Sequence, residues 1–377
     1  MPDSHHICFT FLGDIHYDSR LSKCARTLHE NGYKVSAVIA SEKNEKRESP
    51  GITLKTILIP QARSGKLRFL SFNLKALWPA LRSKADCYFA SDLYSLPIAY
   101  FAAKFRHARL IYDSRELYSS IAALRDRREA QRFWSHIERR IIPRADVVFT
   151  VNDALAGSIS NLYSIPKPTV LLNCPHIQTI QKSDRLRTIL AIPPGPRILL
   201  YQGGLQRGRG IHIMLSAINK VSDAVLVLMG SGNLKAEILE IIKRERLDHK
   251  VFLLDAVRVD DLLEHTASAD VGLCLIENYG ESYYHSLPNK LFEFVAAGVP
   301  VVASNFPEMS RFVESNRVGL CVDPENEDEV VAAIKRLVTE AELHKAFVHH
   351  CEETASRYTW ENESLKLVVA IEDLMKR

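Results

Sequence analysis

A chain of 377 residues exceeds what one hydrophobic core serves and points to two domains with a cleft between them. With 46% hydrophobic and 25% charged residues it is an ordinary folded chain, and its net charge of +4 suits an anionic small ligand or a membrane surface while falling short of a nucleic-acid binder. Seven scattered cysteines without a C-x-x-C pair argue against zinc and disulfides, and the lack of a leader-like start or of some 18 consecutive apolar residues makes a cytoplasmic protein the expectation.

In chain order, ICFTFL (7–12) reads as a strand that runs through Gly13 toward a helix over 19–31, which Gly32 ends before YKVSAVIA (33–40) returns as strand. ITLKTILIP, DCYFASD, ARLIYDS and ADVVFTV supply further strands. Apolar β-rich runs alternating with amphipathic segments are the pattern of βαβ units around a parallel sheet. Asp14, His16 and Arg20 follow the first strand, and Asp92, Asp113, Arg115 and Glu116 fall at later strand ends, where cleft-facing groups gather. Taken singly, each is equally a cap or an ion pair. Two basic stretches interleaved with apolar residues, 63–84 and 124–144, fit an anionic membrane surface or a lipid-linked acceptor, and they also fit sheet-covering helices with a solvated face.

Residues 175–196 lose periodicity and end in a proline-glycine cluster, as an interdomain connection would. The alternation then restarts. RILLYQG, DAVLVLMG, KVFLLD, DVGLCLI, PVVAS and VGLCVD read as strands, with helices over about 210–221, 234–247, 258–268, 289–297, 306–314 and 326–340. From about 343 to Arg377 the chain has helical periodicity alone.

Two segments of the second half carry the chemistry. LLYQGGLQRGRGIHIML (199–215) runs a strand into Gly203, Gly204, Gly208 and Gly210, where backbone can approach a ligand, and Arg209 can neutralise charge on a leaving diphosphate. It is no Walker loop, and a glycine-rich turn with a solvated arginine is the plainer alternative. SLPNKLFEFVAAGVPVVAS (286–304) sets Glu293 one turn into a helix that starts beside a strand end, where free N–H groups suit phosphate and a carboxylate can take two sugar hydroxyls; the plainer alternative is a capping or salt-bridged glutamate. VLMGSGN (227–233) has a lone G-x-G and reads as a strand-to-helix turn rather than a nicotinamide site. No D-x-D pattern and no metal-ligand spacing of histidines occurs, so a metal site is not expected.

The ordered set of segments, from DSRLSKCARTLHENGYKVSAVIA, SDLYSLPIA, YDSRELYS and VNDAL…VLLNCP to YQGGLQRGRGI, VLMGSG and SLPNKLFEFVAAGVPVVAS, resembles the retaining glycosyltransferases of family 4, which have the GT-B fold. The resemblance spans nearly the whole chain. It implies that Glu293 matches the second acid of an E-x7-E motif and holds the donor ribose, that Ser286, Leu287, Asn289 and Lys290 lie along the diphosphate, and that Arg209 stabilises the leaving nucleotide. It also implies that Gly13 and Asp14 border the donor phosphates and the acceptor, that Val257 flanks the base, and that Asp92, Arg115 and Glu116 face the acceptor. In two places the sequence departs from the family pattern. His285 stands where the first acid belongs, and Gly204 where a second arginine is frequent, with Lys290 a substitute for that charge.

The expectation is therefore an α/β chain of GT-B architecture: two Rossmann-like parallel-sheet domains facing an interdomain cleft, with 1–175 on the acceptor side, 176–355 binding the nucleotide-sugar and a helix over 356–377 packing back toward the first. It would move a sugar from a UDP- or GDP-linked donor to a hydroxyl of a glycan or lipid-linked acceptor with retention, without cofactor, metal or nucleic acid, in the cytoplasm or at the cytoplasmic face of a membrane with which it associates peripherally. A nucleotide-sugar epimerase or a phosphorylase of the same architecture, and a non-catalytic subunit of a glycosylation complex, stand beside it.

Overall fold

The structure is a computed structural model that describes residues 5–41, 49–59, 65–118, 128–178 and 180–376. It comprises two compact units, Met1–Asn173 with Asn362–Arg377, and Cys174–Glu361.

The first unit contains β1 (His6–Phe11), α1 (Ser19–Glu30), β2 (Lys34–Ser41), β3 (Ile52–Leu58), α2 (Gly65–Arg82), β4 (Cys87–Ala90), α3 (Leu96–Arg106), β5 (Arg109–Ser114), α4 (Arg128–Ile141), β6 (Val147–Thr150), α5 (Asp153–Tyr163) and β7 (Thr169–Val170). Its seven strands are ordered β3-β2-β1-β4-β5-β6-β7 and all pair in parallel, with Ile7 opposite both Val35 and Cys87. Parallel strands are covered on both faces, which is why β4 (CYFA) is an uninterrupted apolar run and β1 is buried from His6 to Thr10. Cys8, Val38, Ala40, Tyr88 and Tyr112 point to one face and meet Phe72, Ala76 and Ala80 of α2 together with buried residues of α3 and α4.

The second unit contains α6 (Arg185–Leu190), β8 (Arg197–Gln202), α7 (Ile211–Asn219), β9 (Ala224–Met229), α8 (Lys235–Arg244), β10 (Val251–Leu254), α9 (Val259–Thr266), β11 (Val271–Cys274), α10 (Glu281–Tyr284), α11 (Asn289–Ala296), β12 (Val301–Ser304), α12 (Pro307–Asn316), β13 (Gly319–Val322), α13 (Glu327–Thr339) and α14 (Ala341–Ala355). Its six strands run β10-β9-β8-β11-β12-β13, also parallel. Gly272 of β11 sets how closely α11 packs, because a Cβ there would lie 2.5 Å from the Phe294 ring. Its absence lets α11 lie directly on the sheet. The last helix, α15 (Trp360–Met375), begins in the second unit, and its residues from Asn362 onward belong to the first.

The longer strands, α1 and the long helices of the second unit fall where the sequence pattern puts them, while α3 and α5 of the first unit are not placed by it individually. The short elements β7, α6 and α10 are not foreshadowed by that pattern, since two to six residues are too few to show a period. Residues 175–196 accordingly contain a helix, α6, anchored by the fully buried Leu186. Of the two basic stretches, 63–64 and 124–127 lie outside the described residues, while the remainder forms α2 and α4 over the first sheet. All seven cysteines are free thiols, and six of them are buried.

Candidate functional site

In the second unit the strand order reverses between β8 and β11, so the loops leaving their carboxyl ends diverge, and such switch points are where open α/β sheets bind ligands. The loop after β8 holds Gly203 to Gly210, and the chain after β11 leads through α10 to the amino end of α11. Both motifs singled out in the sequence thus meet at one sheet edge.

Helix α11 has no side-chain cap at Pro288, and its Leu291, Phe292, Phe294 and Val295 are buried. Lys290 and Glu293, three residues apart, share the helix face turned to the end of β8. Glu293 Oε2 accepts a 2.6 Å hydrogen bond from Gln202 Nε2, and Thr266 Oγ1 lies 2.8 Å from Gln202 Oε1. A carboxylate only accepts, so the Gln202 amide must turn its NH2 toward Glu293, and the Thr266 hydroxyl on the other side holds it that way. Gln202 is buried at the last position of β8. Sequence reasoning misses it, although a polar residue closing an otherwise apolar strand next to two glycines is a readable signal.

Lys290 is buried, with its Nζ 3.9 Å from the centre of the Tyr201 ring. Burial lowers its pKa to about 8, with Arg209 acting in the same direction and Glu293 against it. The three residues therefore form one electrostatic cluster. Arg209 stacks its guanidinium 4.9 Å from the Tyr283 ring. Neither Arg209 nor Lys290 makes an ion pair among the described residues. Two adjacent cations, resting on aromatic rings in place of carboxylates, form a site prepared for an anion.

The glycines divide into two kinds. Gly203 and Gly204 are exposed, with Lys290 Nζ 3.5 Å from where a Gly203 Cβ would be. Gly208 and Gly210 are buried. At Gly210, with φ of +68°, a Cβ would lie 2.1 Å from the Leu275 carbonyl oxygen, so this glycine serves the close passage of two backbones. Ser286 donates both its N–H and its hydroxyl to the Tyr283 carbonyl and closes the α10 turn. Leu287 is half-buried, and Asn289 is the exposed first residue of α11. His285 ends α10 with its ring 5.2 Å from that of Tyr284, and Val257 is half-buried in the loop ahead of α9.

In the first unit the order reverses between β1 and β4. Gly13 and Asp14 follow β1, and Asp92 follows β4. Asp14 accepts from the His16 N–H at 3.0 Å. Asp92 accepts from the Ser95 N–H at 2.7 Å, and burial raises its pKa to about 6. Asp113 lies fully buried between two arginines: Arg20 Nη2 is 2.7 Å from Oδ1, and Arg115 Nε is 3.0 Å from Oδ2. Burial alone would raise this carboxyl, but Arg20 and Arg115 together hold it below its usual value. Arg115 also reaches Asp18 Oδ2 at 2.5 Å, and Glu116 is exposed beside it. Arg115 is thus occupied by two carboxylates, and Asp92 caps the turn into α3.

Residues 18–175 match the glycosyl transferase 4-like domain, and residues 196–340 match the family described as glycosyl transferases group 1. A D-inositol 3-phosphate glycosyltransferase of Corynebacterium urealyticum is 25% identical over 249 residues, covering 61% of this chain and 57% of its own. The chain spans little more than half the length of such curated relatives. Among solved structures, a sucrose-phosphate synthase from Thermosynechococcus elongatus superimposes with a TM-score of 0.83 at 18% identity over 99% of both chains. HepE of Anabaena, in complex with UDP-glucose, does so with a TM-score of 0.75 at 14% identity over 98% of this chain and 99% of its own.

Proposed function

The chain belongs to the group 1 glycosyltransferases, and from that premise we propose that it transfers a glycosyl group, with retention of anomeric configuration, from a UDP- or GDP-linked sugar to a hydroxyl of a glycan or lipid-linked acceptor. The observation that carries this reading is the unpaired couple of Arg209 and Lys290 beside Glu293 at the amino end of α11. A diphosphate supplies the negative charge that these cations lack, and the uncapped helix end adds N–H groups and a partial positive charge. Glu293, held by Gln202 and Thr266, takes the ribose hydroxyls.

In the reaction the bond from the anomeric carbon to the phosphate oxygen lengthens first, building positive charge on the sugar and negative charge on the phosphate. Arg209 and Lys290 stabilise that phosphate, an effect worth about 3 kcal/mol per donor. The acceptor oxygen then bonds to the anomeric carbon from the face the phosphate leaves, and its proton passes to the departing phosphate oxygen. No separate carboxylate base is required, and no resident metal, in keeping with a sequence that lacks a D-x-D pattern. Asp92, Arg115 and Glu116 of the first unit are the positions we assign to the acceptor side, with Gly13 and Asp14 bordering the donor phosphates and the acceptor.

The test is a thermal-shift screen across UDP- and GDP-sugars. A ligand at a hundred times its dissociation constant stabilises the fold by about 2.7 kcal/mol. The expected hit is one donor whose shift disappears in Glu293→Ala. A flat response to every nucleotide-sugar, or a shift that Glu293→Ala keeps, overturns the reading.

A further inference from the structure

On the first sheet, α2 buries Phe72, Ala76 and Ala80, one residue per turn. Leu70, Leu74 and Trp78 are each two positions before one of these, about 200° around the helix, and so point straight away from the sheet. They are exposed: Leu74 by 70% and Trp78 by 64%. The neighbouring α3 repeats the arrangement. It buries Ala99 and Ala103, while Phe101 and Phe105, one turn apart, stand 55% and 70% exposed. Both helices lie in the layer covering the same sheet face and pack on each other, so their outward stripes form one apolar surface.

The charges that α2 and α3 themselves carry have one sign. Neither α2 nor α3 contains an aspartate or glutamate, whereas Lys75, Arg82 and Lys104 are exposed on them. Arg82 lies over the Trp78 ring at 5.7 Å, a cation and an amphipathic ring side by side. Outward leucines and aromatics on two helices whose own charges are all cationic match the boundary between lipid headgroups and acyl chains, where rings sit at headgroup depth and cations meet phosphates. A protein partner with an apolar patch would match the stripe but leave the wholly cationic charge of α2 and α3 unexplained. Among the described residues no helix is long and apolar enough to cross a bilayer, so this contact lies along the surface.

We infer that the outer face of α2 and α3 seats this chain on an anionic phospholipid surface, with Leu70, Leu74, Trp78, Phe101 and Phe105 entering the interface and Lys75, Arg82 and Lys104 on the phosphates. This holds whichever sugar is transferred, since it uses no residue of the second unit.

The experiment mixes the full chain with vesicles of phosphatidylglycerol and phosphatidylcholine, or of phosphatidylcholine alone. Of the three tryptophans, Trp134 and Trp360 are buried, so a blue shift and quenching by brominated lipid report Trp78. Expected are binding to the anionic vesicles, a loss of roughly fivefold for each cation neutralised at Lys75, Arg82 or Lys104, and a loss of at least tenfold in Leu74→Ser/Phe105→Ser. Because both positions face outward, that double variant keeps the parent's melting temperature and its nucleotide-sugar shift, which separates this test from that of the donor site. The inference is overturned by indifference to anionic vesicles, by binding that the double variant retains, or by a concentration-dependent dimer that the double variant dissolves.

Discussion

At the end of β5 in the first unit, Asp113 is enclosed by Arg20 and Arg115, and Asp18 takes the far side of Arg115, so the buried charges neutralise one another. At the ends of β8 and β11 in the second unit, Arg209 and Lys290 lie over tyrosine rings instead. Both clusters occupy the carboxyl ends of parallel strands. What separates them is closure: a network that satisfies itself stabilises the fold, whereas cations without counter-ions weaken the empty fold and gain only when an anion arrives.

Removing a partner from each cluster exposes this difference. The largest effect is expected from Asp113→Ala, which leaves Arg20 buried and unpaired; calorimetry should register a loss of about 3–5 kcal/mol. A loss under about 1 kcal/mol would mean that the closed network contributes little. Arg209→Ala should leave the melting temperature nearly unchanged and lower transfer by roughly a hundredfold or more in a steady-state assay, in line with one missing donor to developing charge. Lys290→Met should separate the two observables. The empty chain becomes more stable, by about 1–2 kcal/mol, while donor affinity falls; a drop in both would show that Lys290 is a structural residue.

The smallest effect is a pH dependence. The folded Lys290 has a pKa of about 8 against 10.5 for a free lysine, so the unfolded chain binds the extra proton between these values. Stability of the empty protein therefore carries its full cost below about pH 8 and recovers as pH rises toward 10.5. Binding of an anionic donor runs the other way, since it draws on the protonated lysine. Titration calorimetry should find affinity falling by up to tenfold per pH unit above about 8, with Lys290→Met insensitive over the same range.

Much of this arrangement is legible in the sequence, for reasons that differ from place to place. The strands are legible because two-sided burial makes them solid apolar runs, as in VLVLM of β9. Glu293, Lys290 and Arg209 stand out as charges within apolar or glycine-rich segments beside strand ends, and they do gather in one cluster. Partner choice is not legible. Which N–H Asp92 accepts from depends on the backbone that the fold brings near, and here it is that of Ser95. The same holds for Gly208 and Gly210, whose neighbours Tyr283 and Leu275 lie some seventy residues away in sequence. Gln202 is hidden for a related reason, because its significance lies in a hydrogen bond across 91 positions.

Helix α15 has a consequence for biosynthesis. Leu367, Ile371 and Leu374 are buried, Glu363 accepts the Leu172 N–H at 2.8 Å, and these residues count with the first unit although they are translated after the whole of the second. On the ribosome, the first unit must wait for a helix made only after the whole of the second before its own core can shut. A fragment cut at Asn173 should be an unfinished domain, rescued in trans by a peptide carrying residues 360–375.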